Sequence, residues 1–542
     1  MDTTDDLFRR LDQLNAIGAA LSSERNIDRL LENILLAAKA ITHADGGTLY
    51  RVSEDLQSLR FEIVRTDSLN IAYGGTTGEP ISAKFPDLPL YRDDGEPNNS
   101  MIAAYSAIHA ESVNIADAYT EAGFDFSGTR KFDQMTGYRS QSFLSVPMKN
   151  HENEIIGVLQ LINAIDPQTG AVQVFSTADQ RLAESLASQA AVALTNRQLI
   201  SQLEALFESF IHLINLAIDE KSPYTGGHCQ RVPSLTMMLA EAADAATDGP
   251  LAGFSMTDKD RYELKIAGLL HDCGKVTTPV HVVDKATKLQ TIFDRIQMVD
   301  TRFEVIKRDA EVAMLRAVMA GEASASAERR LQEQLHGMDE DRQFLRRANV
   351  GGESMKAEDQ ERVRRISRQY RWRNTEGREV EFLTADELEN LTIRAGTLTQ
   401  SERETINYHI VATIKMLESL PWPKHLKRVP EYAGGHHERM DGKGYPKGLK
   451  RDEMSIQARI MGIADIFEAL TARDRPYKSG MKLSEALRIL SNFRNNGHID
   501  PDLFDVFVQQ KVYLKYAEEY LDAAQIDSLD VGGVTASKMA LS

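Results

Sequence analysis

His436-His437-Glu438-Arg439-Met440-Asp441 runs directly into Gly442-Lys443-Gly444-Tyr445-Pro446. Two adjacent imidazoles and two carboxylates thus precede a glycine-rich turn closed by Tyr-Pro. Neutral imidazole is the commonest protein metal ligand, and Gly and Pro shape a tight loop beside it. Taken alone, the segment also suits a His-rich surface turn, but other His and Asp residues fit the same site. His228 follows Tyr224-Thr225-Gly226-Gly227 and opens an apolar helix with Leu235 and Leu239. By itself it reads as a helix-start histidine. His271-Asp272-Cys273-Gly274-Lys275 closes an apolar helix containing Leu264, Ile266, Ala267, Leu269 and Leu270. His and Asp side by side on a buried helix are costly unless paired or bound to metal. Gly274 lets that helix end, and Lys275 aims a cation at the same place. His409 lies among Ile406, Ile410 and Ile414, and Asp465 within Ile460-Met461-Gly462-Ile463-Ala464-Asp465-Ile466-Phe467-Glu468.

His228, His271, His409, His436, His437, Asp272 and Asp465 suit two divalent metals bridged by one carboxylate. Imidazole and carboxylate together favour iron, manganese or zinc over magnesium or calcium. Two such cations clamp a phosphodiester and lower the pKa of a water between them.

The elements that must position these residues belong to a long chain. Its 542 residues call for two or three domains. The 63 basic and 80 acidic residues leave a net charge of −17, which disfavours DNA or RNA as a partner. Only Cys229 and Cys273 are present, so no disulfide framework is expected. The acidic start Met1-Asp2-Thr3-Thr4-Asp5-Asp6 does not read as a signal peptide, and no apolar run reaches the ~18 residues of a membrane span. A cytoplasmic protein without a membrane partner is expected.

Leu7, Leu11, Leu14, Ile17 and Leu21, then Leu30, Leu31, Ile34 and Leu35, predict helix over about 7–42. Gly47–Val52, Leu59–Val64, Ser142–Met148 and Ile155–Asn163 read as strands, and about 74–100 as loop. Helix, strands, then helix make an α+β sensor-like domain. Phe132-Asp133-Gln134-Met135-Thr136-Gly137-Tyr138, Leu144-Ser145-Val146-Pro147 and Gly157–Asn163 resemble the GAF family of small-molecule sensors. Asn163, Phe175 and Asp179 match a signature of its nucleotide-binding members, while Ala164 and Gln180 replace the Lys and Glu. The resemblance implies an unidentified small-molecule ligand. From Asp179 to about Glu220, Leu182, Leu186, Gln189, Ala193, Asn196, Ile200, Leu203, Phe207, Phe210, Ile214 and Ala217 form a heptad seam. A parallel homodimer helix coupling sensor to output is expected, with a core-facing helix of one chain as the alternative.

The His-Asp-x-Gly-Lys, His-His-Glu and Gly-Tyr-Pro motifs, in order, resemble the HD-GYP family of HD-domain phosphohydrolases. That resemblance implies an all-α bundle hydrolysing cyclic di-GMP to the linear dinucleotide pGpG, to GMP, or to both. It implies one metal on His228, His271, Asp272 and Asp465, and a second on Asp272 as bridge with His409, His436 and His437. Iron or manganese is expected, with zinc also compatible. Lys275 would contact the scissile phosphate; Gly444, Tyr445 and Pro446 would shape the adjoining loop; Arg475 and Lys478 would hold substrate phosphate. Tyr224 replaces the Glu that serves a third metal in some members, so two metals are expected. The alternatives are a silent cyclic dinucleotide receptor and a phosphodiesterase for another cyclic nucleotide.

The expected organisation is multidomain: an α+β GAF domain over 1–180, a coiled-coil helix over 181–220, an all-α HD-GYP domain over 221–520 and a tail over 521–542. A helical insertion over about 290–400 interrupts the HD-GYP domain. Phe293, Ile296, Val299 and Phe303, then Leu331, Leu335, Phe344 and Leu345, predict two antiparallel amphipathic helices there. Such an insertion is either a solvated hairpin or a lid or partner surface.

Overall fold

The computed structural model describes residues 10, 12, 15–21, 23, 24, 26–81, 85–222, 227–352, 354–473 and 480–527. The chain divides into two compact units, Met1–Phe207 and Glu208–Ser542.

In the first unit, α1 (Ile27–Thr42) starts at Asn26, whose side chain accepts from the Arg29 amide. Its apolar positions face an antiparallel sheet of β1 (Ala44–Val52), β2 (Ser58–Thr66), β3 (Ile71–Tyr73), β4 (Leu88–Pro89), β5 (Val113–Ile115), β6 (Phe143–Lys149), β7 (Ile155–Ile165) and β8 (Val172–Gln173). The central order is β3-β2-β1-β7-β6-β5. Alternation along each strand sends Leu49, Ile63, Leu144, Val146, Leu159 and Leu161 to α1. Tyr50 and Val158 go to the opposite face, against Ala103, Ala104 and Ala107 of α2 (Ile102–His109). A further helix, α3 (Ser127–Thr136), precedes β6. Glu32 of α1 is buried and accepts from Arg65 (2.7 Å) and from the Thr76 amide (2.9 Å) and hydroxyl (2.8 Å). It thereby ties the loop after β3 to the helix.

Asn163, Phe175 and Asp179 are engaged structurally. Asn163 bonds the Gln141 and Ser142 amides and the Arg139 carbonyl. Phe175 is part of the core, and Asp179 accepts from Ser176 and Arg10.

One helix, α4 (Thr177–Lys221), covers the stretch expected as a coiled coil. Its first half corrects that expectation. Leu182 and Leu186 are buried with Ala183, Ala187, Ala190 and Ala191 in the core of their own unit, so the core-facing alternative holds there. Further on, Leu199, Leu203, Leu206, Phe210 and Leu213 are each at least half exposed.

The second unit is helical: α5 (His228–Asp244), α6 (Asp258–Leu270), α7 (Val280–Val283), α8 (Ile296–Met319), α9 (Ser324–Asn349), α10 (Ala357–Gln369), a hairpin of β9 (Arg371–Arg373) and β10 (Glu379–Glu381), α11 (Ala385–Leu391), α12 (Gln400–Glu418), α13 (Val429–Gly434), α14 (Ile456–Thr471), α15 (Leu483–Asn495), α16 (Pro501–Gln509) and α17 (Val512–Tyr520). Phe467 of α14 packs on Phe507 (5.1 Å between ring centres) and Tyr516 (5.8 Å). Packing continues past the expected boundary at 520: the Gln525 side chain donates to the Thr471 and Met481 carbonyls. No helix among the described residues is long and apolar enough to cross a membrane.

The insertion is not a solvated hairpin. Leu289, Val299, Phe303, Ile306, Phe344, Leu345, Val363, Ile366, Phe382 and Leu391 form a core of their own. Its two long helices pair as expected, and α10, the β9–β10 hairpin and α11 complete the packing. Lys285 and Glu402 close its base. The buried Lys285 ammonium lies 2.8 and 2.7 Å from the two Glu402 oxygens and 2.7 Å from the Asn390 side chain.

Two outcomes test this architecture. Phe303→Ala removes a ring 4.6 Å from that of Phe382 and should cost about 3 kcal/mol. The insertion should then unfold at lower denaturant, followed by Trp372 fluorescence in a Trp422→Phe background; an unmoved transition would contradict a separate core. Burial raises the Glu32 pKa, but Thr77, Arg65 and Thr76 outweigh it and hold it at about 2. Its stabilisation is therefore complete above the ordinary 4.5 and lost as pH falls through 2. The stability difference between wild type and Glu32→Gln should shrink across that window, and a pH-independent difference would refute the linkage.

Candidate metal centre

The predicted ligands arrive on five segments. Gly227, in a left-handed conformation (φ 85°), sets His228 at the start of α5. α6 ends at His271, and Asp272 leads into a short 3-10 turn, Cys273–Thr277. His409 lies in α12, which a Thr399–Glu402 capping box starts. His436 and His437 follow α13, and Asp465 is on α14. Gly274 does more than let a helix end. A Cβ there would lie 2.0 Å from the His409 carbonyl oxygen and 2.6 Å from the Thr413 amide nitrogen. Only glycine lets the end of α6 meet α12 this closely. Thr413 locks the contact: its hydroxyl accepts from the Gly274 amide (2.9 Å) and donates to the His271 carbonyl (3.2 Å).

Two triplets result, His228 with His271 and Asp272, and His409 with His436 and His437; within each, the donor atoms lie within 4.8 Å of one another. Asp272 spans them. Its Oδ2 is 3.1 Å from His228 Nε2 and 3.3 Å from His271 Nε2, while its Oδ1 is 3.3 Å from His409 Nε2. Asp465 also lies between the groups, with Oδ1 3.3 Å from His228 Nε2 and Oδ2 3.9 Å from His437 Nδ1. Three histidines spend Nδ1 on the carbonyl three residues back: His271 on Gly268 (2.7 Å), His436 on Ala433 (2.6 Å), and His409 on Ile406. Nε2 of each is left facing the centre. His409 Nε2 and His436 Nε2 are buried and have no hydrogen-bond partner among the described residues. Orphaned lone pairs on inward-facing imidazoles, beside two carboxylates, are what a divalent cation requires. The donor set fits such ions.

A GAF-domain family model matches residues 26–194, and HD-domain models match 225–346 and 355–503. The chain carries a GAF domain and an HD domain. The two HD matches divide the ligands between them, yet Asp272 joins the ligands into one site. With its His-His-Glu and Gly-Tyr-Pro motifs, the HD domain is of the HD-GYP type. A 3′3′-cGAMP-specific phosphodiesterase of Vibrio cholerae is 45% identical over 17% of this chain and 21% of its own length. A cyclic di-GMP phosphodiesterase of Pseudomonas aeruginosa is 46% identical over 14% and 17%. A protein named a probable cyclic di-GMP phosphodiesterase, also of Vibrio cholerae, is 34% identical over 25% and 31%. The chain thus spans a third or less of the length of these curated relatives. The solved GAF domain of an Acinetobacter phosphoenolpyruvate-protein phosphotransferase aligns with 37% of this chain and 99% of its own, at 17% identity and a TM-score of 0.26.

Burial opposes ionisation of Asp272 and Asp465. For Asp272 the field of Lys275, His271 and His228 outweighs it, and for Asp465 that of His228, His437 and His436, holding both far below the usual carboxylate range. Burial pushes His436 well below the usual histidine value and His437 down to about 4. Ionised carboxylates and neutral imidazoles are the donor states a metal needs. Burial also opposes the charge on His228, but Glu468, Asp272 and Asp465 hold it well above the ordinary value. Burial pushes the Cys229 thiol up to about 12 and that of Cys273 to about 11, so both stay neutral beside the ligands.

Lys275 Nζ is 2.5 Å from Asp272 Oδ2. The Tyr445 ring stacks on His437 at 4.9 Å, and Tyr445-Pro446 is a cis peptide. Gly444 is needed for close approach, since a Cβ would lie 2.4 Å from the Arg439 nitrogen. Neither carboxylate of the His-His-Glu-Arg-Met-Asp run faces the metal ligands. Glu438 accepts from the Lys447 (2.7 Å) and Leu449 (2.9 Å) amides and so pins the loop, while Asp441 pairs with Arg439. Arg475, Lys478 and Tyr224 lie outside the described residues.

The sequence reading missed Glu468. Fully buried, it receives His228 Nδ1 at 2.5 Å and Arg231 at 2.7 Å. Its position one helical turn after Asp465 was the available signal. Glu468→Gln should weaken divalent-metal affinity by roughly ten- to a hundredfold, read by competition with a chelating dye with helicity checked by circular dichroism. Unchanged affinity would detach Glu468 from the centre.

Proposed function

We propose that this chain is a metal-dependent cyclic dinucleotide phosphodiesterase, with cyclic di-GMP as the first substrate and linear pGpG or GMP as product, under control of its GAF domain. The observation that carries the reading is Asp272, with one oxygen toward each histidine group. His228, His271, Asp272 and Asp465 would hold one cation, and Asp272, His409, His436 and His437 the other, with iron or manganese preferred and zinc compatible. When bound, such a pair supplies Lewis acidity at the phosphoryl oxygens and acidifies a water between them. Asp272 orients both halves of the site. Lys275 offers an ammonium to the scissile phosphate, and Gly444, Tyr445 and Pro446 shape the wall beside His437. Arg475 and Lys478 are assigned to substrate phosphate on their sequence motif alone. The names of the relatives favour a second reading, 3′3′-cGAMP as the substrate.

The test is anaerobic purification, a count of iron, manganese and zinc per chain, and chromatography of cyclic di-GMP and 3′3′-cGAMP after incubation. Two metals and a linear product are expected, with turnover down roughly a hundredfold or more in Asp272→Ala. Metal without turnover of either substrate would favour a silent receptor, and absence of metal would sink the two-metal reading.

The proposed organisation is a GAF domain whose core takes in the start of α4, a signalling helix over the rest of α4, and a phosphodiesterase domain whose packing runs past 520 to Gln525. The GAF domain is the proposed receiver of a small-molecule signal. A second copy of the chain is the proposed partner along α4, where Leu199, Leu203, Leu206, Phe210 and Leu213 recur at alternating four- and three-residue steps while exposed. Light scattering should give twice the chain mass for wild type and a single mass for Leu206→Glu/Phe210→Glu; a wild-type monomer would exclude the dimer.

A further inference from the structure

The base of the insertion holds a cluster of cations that the metal centre does not use. Lys288, Arg347, Arg362 and Arg394 line a cavity of about 380 Å³, with one acid, Asp359, among the lining residues. In a chain of net charge −17 this is a locally positive site.

Lys288 is 3% exposed. Its ammonium donates to the Ile393 (2.8 Å) and Leu391 (3.3 Å) carbonyls and touches the Met355 sulfur at 3.3 Å. Among the described residues it has no carboxylate at ion-pair distance, and burial pushes it down to about 8. A buried ammonium without a counter-charge is costly. Arg362 lies over the Phe344 ring at 4.3 Å, and its Nε is buried without a hydrogen-bond partner among the described residues. One of its terminal nitrogens reaches Asp341 at 3.1 Å. Arg347 and Arg394 are exposed, and neither has an ion pair among the described residues.

We propose that this cavity binds a small phosphate monoester. With Arg362 already paired to Asp341, Lys288, Arg347 and Arg394 against Asp359, the one acid among the described lining residues, favour a dianion over a monocarboxylate. Guanidinium forks match phosphate oxygens in pairs. The volume exceeds what a lone phosphate fills, and Phe344, Val350 and Met355 give the body of an ester an apolar wall. The site is separate in sequence from every predicted metal ligand. It joins the two ends of the insertion, since Lys288 enters it and Arg394 leaves it.

The test is calorimetric titration of the full chain with GMP, AMP and inorganic phosphate at low and high salt. Arg347→Glu and Arg394→Glu alter exposed side chains and leave the insertion core intact. A monoester should bind wild type, more weakly at high salt, and each variant should raise its dissociation constant roughly tenfold or more with metal content unchanged. A monoester affinity indifferent to both variants, or no binding at all, would overturn the proposal. Inorganic phosphate binding as tightly as either ester would overturn the assignment of an ester.

Discussion

An ionised carboxylate almost fully removed from water, with imidazoles on both sides, is the constraint on which the HD domain depends. Asp272 is 2% exposed, and burying such a charge is tolerable only if each oxygen meets a positive or metal-bound partner. Its two oxygens face donors from different helices, so the end of α6 and the middle of α12 must come together. That demand accounts for the missing side chain at Gly274 and the double hydrogen bond of Thr413. It is also why two separate matches to the HD family describe one centre.

The histidines obey a second rule. His271, His409 and His436 each have a helical turn behind them, and each spends Nδ1 on the carbonyl three residues back. His228 instead opens its helix. It needs an acceptor from elsewhere, and Glu468 supplies one from α14. Arg231, one turn into α5, neutralises the carboxylate that results. The start of one helix and the middle of another are thereby fixed together by a charge chain running from Arg231 to Asp272.

The clustering of these His and Asp residues was legible because residue types announce it: a His or an Asp inside an apolar helix is costly until it is paired or bound to a cation. Glu468 was not, because a helix interior with two carboxylates reads first as one functional and one solvated residue. The α4 seam shows a different limit. Leu182 and Leu186 have the same four-residue spacing as Leu206 and Phe210, and periodicity alone cannot tell a sheet of the same chain from a second copy. The strands of the sensor domain were read from alternation, and α1 from its apolar steps. In the insertion, the apolar residues of α8 and α9 marked two helices. Trp372 and Phe382 lie among charged residues, so the third helix and hairpin that seal its core left a weaker trace.

Lys285 and Glu402 are 117 positions apart in sequence and bonded in space, and the Thr397 hydroxyl donates to the Lys285 carbonyl at 2.8 Å. The chain therefore leaves the HD bundle and returns to it at nearly one point. In evolutionary terms the insertion is a cassette. A segment with its own apolar core and adjoining ends can be gained, exchanged or lost in one genetic event while the helices on either side keep their register. The bundle carries it as a guest, held under packing constraints separate from those on the His and Asp cluster.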